Sequence, residues 1–267
     1  QSPTRYKLLR MYLYLFFISI KLKKYKVVIL NIGVIGNGLL AYLLKLLHVK
    51  IVIISYAEEI TMATYSSGFK GFIKQLFLSF YKKTNAVVSV SNFAKNILIK
   101  DINLQSPVHV IPTPLHQLKY IQFDKKTTKH NNQILSVGRL IKRKGFVHLI
   151  SAFNEVTQTF PDAQLVIVGD GPDYDYLNDE IQKLNLSDSI NIYRNIKDKE
   201  LASLYYESKL FVLANLLLKN GDCEGAPNVI VEAASFGLPV IAGIMGGTSD
   251  VVDDGVTGYL INPENHI

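Results

Sequence analysis

The stretch Gly221-Asp-Cys-Glu-Gly-Ala-Pro-Asn-Val-Ile-Val-Glu-Ala-Ala-Ser-Phe-Gly237 reads as a loop, a short helix and a helix stop, after which Leu238-Pro-Val-Ile-Ala242 resumes a strand. Asn228 is placed to cap the helix, and Gly237 to end it in a left-handed turn. Glu224 then lies in the loop before the helix and Glu232 one turn inside it. Between them, the N–H groups of the helix start lack intrahelical partners and point outward, which makes a ready phosphate site. A carboxylate on each side of an anion site suits a ligand with hydroxyls at both ends and phosphate in the middle. A nucleotide sugar has that layout.

Outward from this stretch, residues 133–261 alternate strand and helix. Short apolar runs at Gln133–Val137, Gln164–Val168, Ser189–Tyr193, Leu210–Leu213 and Pro239–Ala242 are separated by helical patterns at 145–159, 174–185 and 198–207. Buried runs alternating with helices predict a parallel, doubly wound sheet, whose ligands bind at the carboxyl ends of the strands. The first half repeats the theme, with helices over about 5–22, 36–48, 68–83 and 92–100 and strands at 26–31, 50–54, 85–90 and 108–111. Between the halves, Pro112 to Gln133 is polar, basic and weakly patterned, which predicts a linker at 116–132.

The 267 residues suffice for two ordinary domains, and no apolar run approaches the length that spans a bilayer. A single cysteine, Cys223, excludes an internal disulfide and fits a reducing cytoplasm. The net charge of +7 hides a division. Residues 1–130 carry 19 Lys/Arg against 4 Asp/Glu, and residues 131–267 carry 10 against 18. So basic a first half either favours anionic partners, such as acidic headgroups or a phosphorylated ligand, or is simply a solvated lysine-rich surface. No recognition motif supports nucleic-acid binding.

The Gly221–Gly237 stretch resembles the donor-binding signature of retaining glycosyltransferases of the GT-B fold, the large family of mannosyl- and glucosyltransferases that use nucleotide-diphosphate sugars. That signature is Glu-Gly-x-Pro/Gly-x-x-x-x-Glu-Ala-x-x-x-Gly-x-Pro-Val-Ile, followed by Gly-Gly-x-x-Glu. Here the last element reads Gly246-Gly-Thr-Ser-Asp250, with Asp for Glu, and Asp253-Asp-Gly-Val-Thr-Gly-Tyr-Leu260 follows. The resemblance runs in order from about residue 25 to 263. It implies an α/β protein with two Rossmann-like, doubly wound parallel-sheet domains. Residues 1–115 would be a partial N-terminal, acceptor-side domain, and 133–267 a C-terminal donor-nucleotide domain without its final helices. On that reading the sequence is a fragment lacking both chain ends.

Ser136-Val-Gly-Arg-Leu-Ile-Lys-Arg-Lys-Gly-Phe146 follows the first strand of the second half. Gly138 lets the backbone turn tightly, and Arg139 and Lys144 can converge on a pyrophosphate. The resemblance gives them the donor phosphates, and leaves Lys142 and Arg143 as members of a basic surface turn. Gly169-Asp-Gly-Pro172 with Asp173 and Asp175 invites comparison with the paired aspartates that hold Mg²⁺ or Mn²⁺ in the GT-A fold. Here, however, the acids open a helix, where negative charge complements the dipole, so no catalytic metal or other cofactor is expected. Tyr193 and Arg194, at the end of another strand, are candidates to meet the nucleobase. Glu232 is expected to accept from ribose hydroxyls, against a plain reading as a helix-start acid. Glu224 is expected to position the sugar and stabilise charge, not to attack, against a plain reading as an exposed loop acid. Gly225, Ala226, Pro227 and Asn228 complete the donor set.

In the first half, Val52-Ile-Ile-Ser-Tyr-Ala-Glu-Glu-Ile60 ends a strand where the family often carries His-Gly-x-Glu or His-Gly-x-Asp. Glu59 matches the acid, but Tyr56 stands where the His would be, which counts against His-assisted acceptor activation. Ser91 reads as a helix cap. Asn31-Ile-Gly-Val-Ile-Gly-Asn-Gly38 imitates a dinucleotide fingerprint, but with the wrong glycine spacing. Arg10–Lys26 mixes aromatics with lysines on one helix. Either it lies on a membrane surface, or its rings, Phe16 and Phe17 above all, pack on the sheet; burial is the expectation for those two.

The resemblance therefore implies transfer of a hexose from a UDP- or GDP-sugar to a hydroxyl of a carbohydrate, lipid-linked or phosphorylated acceptor. Anomeric configuration would be retained, in a cleft between the domains. Cell-surface polysaccharide or glycolipid synthesis would be its setting. The protein would be cytoplasmic, with the basic half touching the inner face of the plasma membrane. The alternative is an inert sugar-nucleotide-binding subunit of the same fold.

Overall fold

A computed structural model describes residues 15–31, 36–64, 78–79, 82, 84–115 and 132–265. The chain divides into two compact units, residues 1–112 with 219–225, and residues 113–218 with 226–267.

The first unit holds a four-stranded parallel sheet in the order β1 (Val27–Asn31), β2 (Lys50–Ser55), β3 (Ala86–Ser89), β4 (Val108–Val110). Between the strands lie α1 (Gly36–Leu46), α2 (Glu58–Thr64) and α3 (Asn92–Lys100). Strand residues alternate, so Ile51 and Ile53 point into the core with Leu44, Ile60, Val87 and Leu98. Ser91 caps α3 as expected, its Oγ accepting from the Ala94 N–H at 3.1 Å. Ala57, just before α2, is buried at φ +78°, a left-handed conformation that a side chain resists.

Residues 15–22 are helical. Leu15 and Ser19 face inward, whereas Phe16, Phe17 and Ile20 are exposed. The expected burial of Phe16 and Phe17 is thus corrected: Leu15, with Ile18 and Leu22, supplies the packing face, and the two rings fall on the other side. The expected helix at 68–83 lies almost wholly outside the described residues, as do the linker at 116–131 and residues 32–35 of the glycine-rich Asn31–Gly38 run. No helix among the described residues is long and apolar enough to cross a membrane.

The second unit is a six-stranded parallel sheet: β5 (Gln133–Val137), β6 (Gln164–Val168), β7 (Ile190–Tyr193), β8 (Leu210–Leu213), β9 (Val240–Gly243) and β10 (Gly258–Ile261). They lie in the order β10-β9-β8-β5-β6-β7. Helices α4 (Phe146–Thr159) and α5 (Tyr174–Lys183) cover one face, with Phe153, Leu165, Ile167 and Leu177 between. Helices α6 (Asp198–Glu207) and α7 (Asn228–Ser235) cover the other, over Leu135, Val166, Phe211 and Leu213. Strands β5, β6, β8 and β9 are buried along most of their length, and they stand within a residue or two of the sequence reading, whereas β10 was not among the strands it gave. Asn228 does not cap α7: it is the helix's first residue, and Pro227 occupies the cap without a side-chain hydrogen bond. Gly237 ends that helix at φ +72°, as expected.

Candidate functional site

In the second unit the strand order reverses between β5 and β8, since β6 and β7 extend from one side of β5 and β8 to β10 from the other. The segments leaving these two strands part to opposite faces of the sheet and leave a crevice at their carboxyl ends, where open α/β sheets bind ligands.

The turn after β5 carries Gly138, Arg139 and Lys144. It is stitched to its neighbours through backbone: the Gly138 N–H donates to the Val168 carbonyl at 2.9 Å and the Leu140 N–H to the Asp170 carbonyl at 2.9 Å. A side chain on Gly169 would meet the Gly138 carbonyl, and one on Gly145 the Ala214 carbonyl, each at 1.8 Å. Gly145, at φ +68°, links a 3₁₀ turn at Lys142–Lys144 to α4. Lys144 is buried, and its stem crosses Gly138, whose absent Cβ would lie 3.2 Å from Lys144 Cε. Arg139 is exposed. Arg143, expected on the surface with Lys142, is buried: its carbonyl accepts from the Leu216 N–H at 2.8 Å, and this pulls the turn onto the segment after β8.

At the end of β7, Tyr193 is exposed, and Arg194 is engaged on two sides. Its Nη2 and Nε lie 2.7 and 2.9 Å from Asp170 Oδ1, and its guanidinium stacks over the Tyr174 ring at 4.3 Å. Asp170 is therefore the partner that orients Arg194, which fits the structural reading of the Gly-Asp-Gly-Pro loop. Asp173 ends at the cap of α5, with Asp175 in its first turn. Among the described residues, no group of three or more His, Cys, Asp or Glu is arranged to hold a metal ion.

After β8, Asn215 donates through Nδ2 to the Met245 carbonyl and to Thr248 Oγ1, both at 2.9 Å, and so fixes the Gly246–Asp250 turn beside β8. Glu232 stands one full turn into α7, beyond the reach of the helix-start dipole, so its plain reading as a helix-start acid lapses. Its Oε2 instead accepts from Tyr205 Oη at 3.0 Å. Tyr205 went unnoticed in the sequence. Its position before the Leu210 strand reads as one more apolar helix residue, and nothing local pairs it with a residue 27 positions on.

Residues 219–225 pack with the first unit, although the sequence reading places all of 133–267 in one domain. Cys223 is buried there, its Sγ 3.8 Å from Thr61 Oγ1 on α2. The Gly225 backbone lies so close to Tyr56 that a Cβ would sit 1.9 Å from the Tyr56 carbonyl. Glu224 is only 8% exposed, which excludes the exposed-loop reading. Glu224 and Gly225 thus share a unit with Tyr56, whereas Gly138, Arg139, Lys144, Tyr193, Arg194, Ala226, Pro227, Asn228 and Glu232 belong to the second unit. Tyr56 is exposed, and Glu59 lies in α2.

Residues 119–267 match the family model of Glycosyl transferases group 1. An amylovoran biosynthesis glycosyltransferase of Erwinia amylovora, AmsD, is 27% identical over 226 residues, covering 83% of this chain and 59% of that protein. A GDP-mannose-dependent alpha-(1-6)-phosphatidylinositol monomannoside mannosyltransferase of Mycolicibacterium smegmatis is 33% identical over 130 residues, 48% of this chain and 34% of its own length. An uncharacterized glycosyltransferase of Haemophilus influenzae is 33% identical over 51% of this chain and 36% of that protein. The chain thus spans roughly a third to three-fifths of these curated relatives. Among solved structures, Anabaena HepE in complex with UDP superposes with a TM-score of 0.75 at 19% identity, over 94% of this chain and 69% of that one. Sucrose-phosphate synthase from Thermosynechococcus elongatus gives 0.72 at 18%, over 91% and 62%. These likenesses establish the fold as α/β with two parallel sheets, the GT-B class.

Proposed function

The chain belongs to the glycosyl transferases group 1, and on that premise we propose that the protein transfers a hexose from a UDP- or GDP-sugar to an acceptor hydroxyl with retention of configuration. The observation that carries this reading is the pairing at the strand-order reversal. A basic turn, Gly138–Lys144, leaves β5, and the helix bearing Glu232 follows the neighbouring strand β8. In the proposed reaction Arg139 and Lys144 neutralise the departing nucleoside diphosphate, so no metal is needed for that charge. The N–H groups opening α7 take a phosphate oxygen, and Glu232 accepts from the ribose hydroxyls. Glu224 orients the sugar and stabilises positive charge at its anomeric carbon. AmsD, named for amylovoran biosynthesis, supports a role in surface polysaccharide synthesis.

We extend the proposal to the acceptor side. Phe16, Phe17 and Ile20 are exposed beside exposed Lys21, Lys23, Lys24 and Lys26, a combination that suits an anionic membrane surface carrying a lipid-linked or phosphorylated acceptor. On this reading the enzyme works at the cytoplasmic face of the membrane.

Lys144→Ala or Glu232→Ala in the full-length protein is expected to cut transfer about a hundredfold or more while leaving the fold intact. Wild-type turnover in either variant would sink the assignment. Tyr56 in place of a histidine favours the second reading, a sugar-nucleotide-binding subunit without turnover. Binding of UDP or GDP with no product from any donor would establish that version instead.

A further inference from the structure

The contact that the proposed reaction leaves unused is the one between Tyr205 and Glu232. We propose that Tyr205 is the positioning residue that sets the plane of the Glu232 carboxylate for the donor's ribose; the inference rests on the reading of Glu232 as a donor contact. Tyr205 has no exposed surface. Its ring is stacked on Phe236 at 5.3 Å and 12°, and against Phe211 at 6.0 Å and 29°. That packing asks only for a phenyl ring, and Phe would satisfy it. A hydroxyl in such a place carries a desolvation penalty unless it is bonded, and its Oη donates to Glu232 Oε2 at 3.0 Å.

The bond runs outward from the core. Tyr205 comes from α6 and is clamped by an aromatic on β8 and another at the end of α7, so its hydroxyl is a fixed point. Glu232 is half-buried on α7 and has three rotatable side-chain bonds. A charge-assisted bond from a fixed donor holds one of its oxygens and thereby restricts the orientation of the other. A carboxylate that must accept from two vicinal hydroxyls gains most from such restriction, because orientation is then paid before the nucleotide arrives. Specificity for a ribose over a deoxy sugar follows from the same device, since a site built to accept from a hydroxyl discriminates against the analogue lacking it.

The test uses the full-length protein as wild type, Tyr205→Phe, Glu232→Gln and the double variant. Each is titrated with UDP, GDP and their 2′,3′-dideoxy counterparts, alongside thermal unfolding and donor kinetics. Tyr205→Phe should unfold like the wild type and bind the ribonucleotide roughly tenfold more weakly. It should leave dideoxynucleotide affinity unchanged, raise the donor KM and alter kcat little. The double variant should bind no more weakly than Glu232→Gln alone. If Glu232→Gln weakens binding and Tyr205→Phe does not, the positioning role is overturned and the donor reading stands. Wild-type binding in both single variants would overturn the donor reading and the inference together. Equal loss for ribo- and dideoxynucleotides in Tyr205→Phe, with a lowered melting temperature, would make the tyrosine merely structural.

Discussion

Two glycines of one turn should fail in different ways when each gains a methyl group. At Gly145 the backbone is left-handed, φ +68°, and a Cβ would lie 1.8 Å from the Ala214 carbonyl oxygen, far inside contact distance. Neither wall is a flexible side chain. Gly145→Ala must therefore accept a conformational cost of about 1–2 kcal/mol and push the turn off β8. That movement strains the Gly145 N–H to Lys142 carbonyl bond at 3.0 Å and the Leu216 N–H to Arg143 carbonyl bond at 2.8 Å, each worth about 1 kcal/mol. The expected loss is about 3–4 kcal/mol, or roughly 6–16 °C in melting temperature for a chain of this size. At Gly138 the backbone is not left-handed, and the new methyl would meet only the Lys144 stem, at 3.2 and 3.3 Å. The lysine can shift by a few tenths of an ångström, so Gly138→Ala should cost less than about 1 kcal/mol. Its effect appears instead in nucleoside diphosphate affinity, several-fold weaker because the ammonium is displaced. Urea or thermal unfolding paired with calorimetric titration of UDP and GDP separates the two outcomes. A Gly145→Ala protein as stable as wild type, or a Gly138→Ala protein that unfolds easily yet binds normally, would refute this account of the turn.

Ala57→Gly should leave unfolding free energy unchanged or raise it by up to about 1 kcal/mol, because Ala57 holds φ +78°; Ala202→Gly inside α6 should lose at least about 1 kcal/mol in the same urea titration. Ser91→Ala removes the bond to the Ala94 N–H and should cost about 1 kcal/mol, read as a lower urea midpoint with an unchanged slope. Phe16→Ser with Phe17→Ser should lower co-sedimentation with phosphatidylglycerol vesicles several-fold without lowering stability, and equal co-sedimentation would remove the membrane proposal.

The second unit was legible in the sequence because four of its strands, β5, β6, β8 and β9, are buried along most of their length. Runs such as Gln164–Val168 have no competing pattern, and their ends coincide with the sequence reading. In the first unit the helix Asn92–Lys100 was legible from its serine cap and its apolar spacing. Failures arose where tertiary packing decided. Lys142 and Arg143 read as a solvated surface turn, but Arg143 is buried, and its carbonyl accepts from the Leu216 N–H. Glu224 lies in a loop of Gly, Asp and Asn that looks exposed. One signal hinted otherwise: Cys223, an apolar residue in a polar loop, is what anchors the segment beside Thr61. The pairing of Tyr205 with Glu232 left no local trace, since it needs α6 and α7 brought to the same face of the sheet.

The start of α7 joins stability to binding in a way that can be tested. Pro227 sits at the cap with φ −76° and ψ 98°, an extended conformation that serine or asparagine would also adopt, yet proline offers no side-chain acceptor to the N–H groups behind it. A helix start lacking this bond forgoes about 1 kcal/mol, and a ligand phosphate can supply it instead. Pro227→Ser provides an internal acceptor that competes with that phosphate. Serine also frees the unfolded chain, offsetting roughly 0.4–1 kcal/mol, so the unliganded protein should change little in stability. Nucleotide affinity should still fall several-fold, and the stabilisation given by saturating UDP or GDP should shrink with it, from about 2.7 kcal/mol at a hundredfold excess over Kd. Unaltered affinity in Pro227→Ser would mean that the phosphate does not sit on this helix, leaving Arg139 and Lys144 to hold it alone.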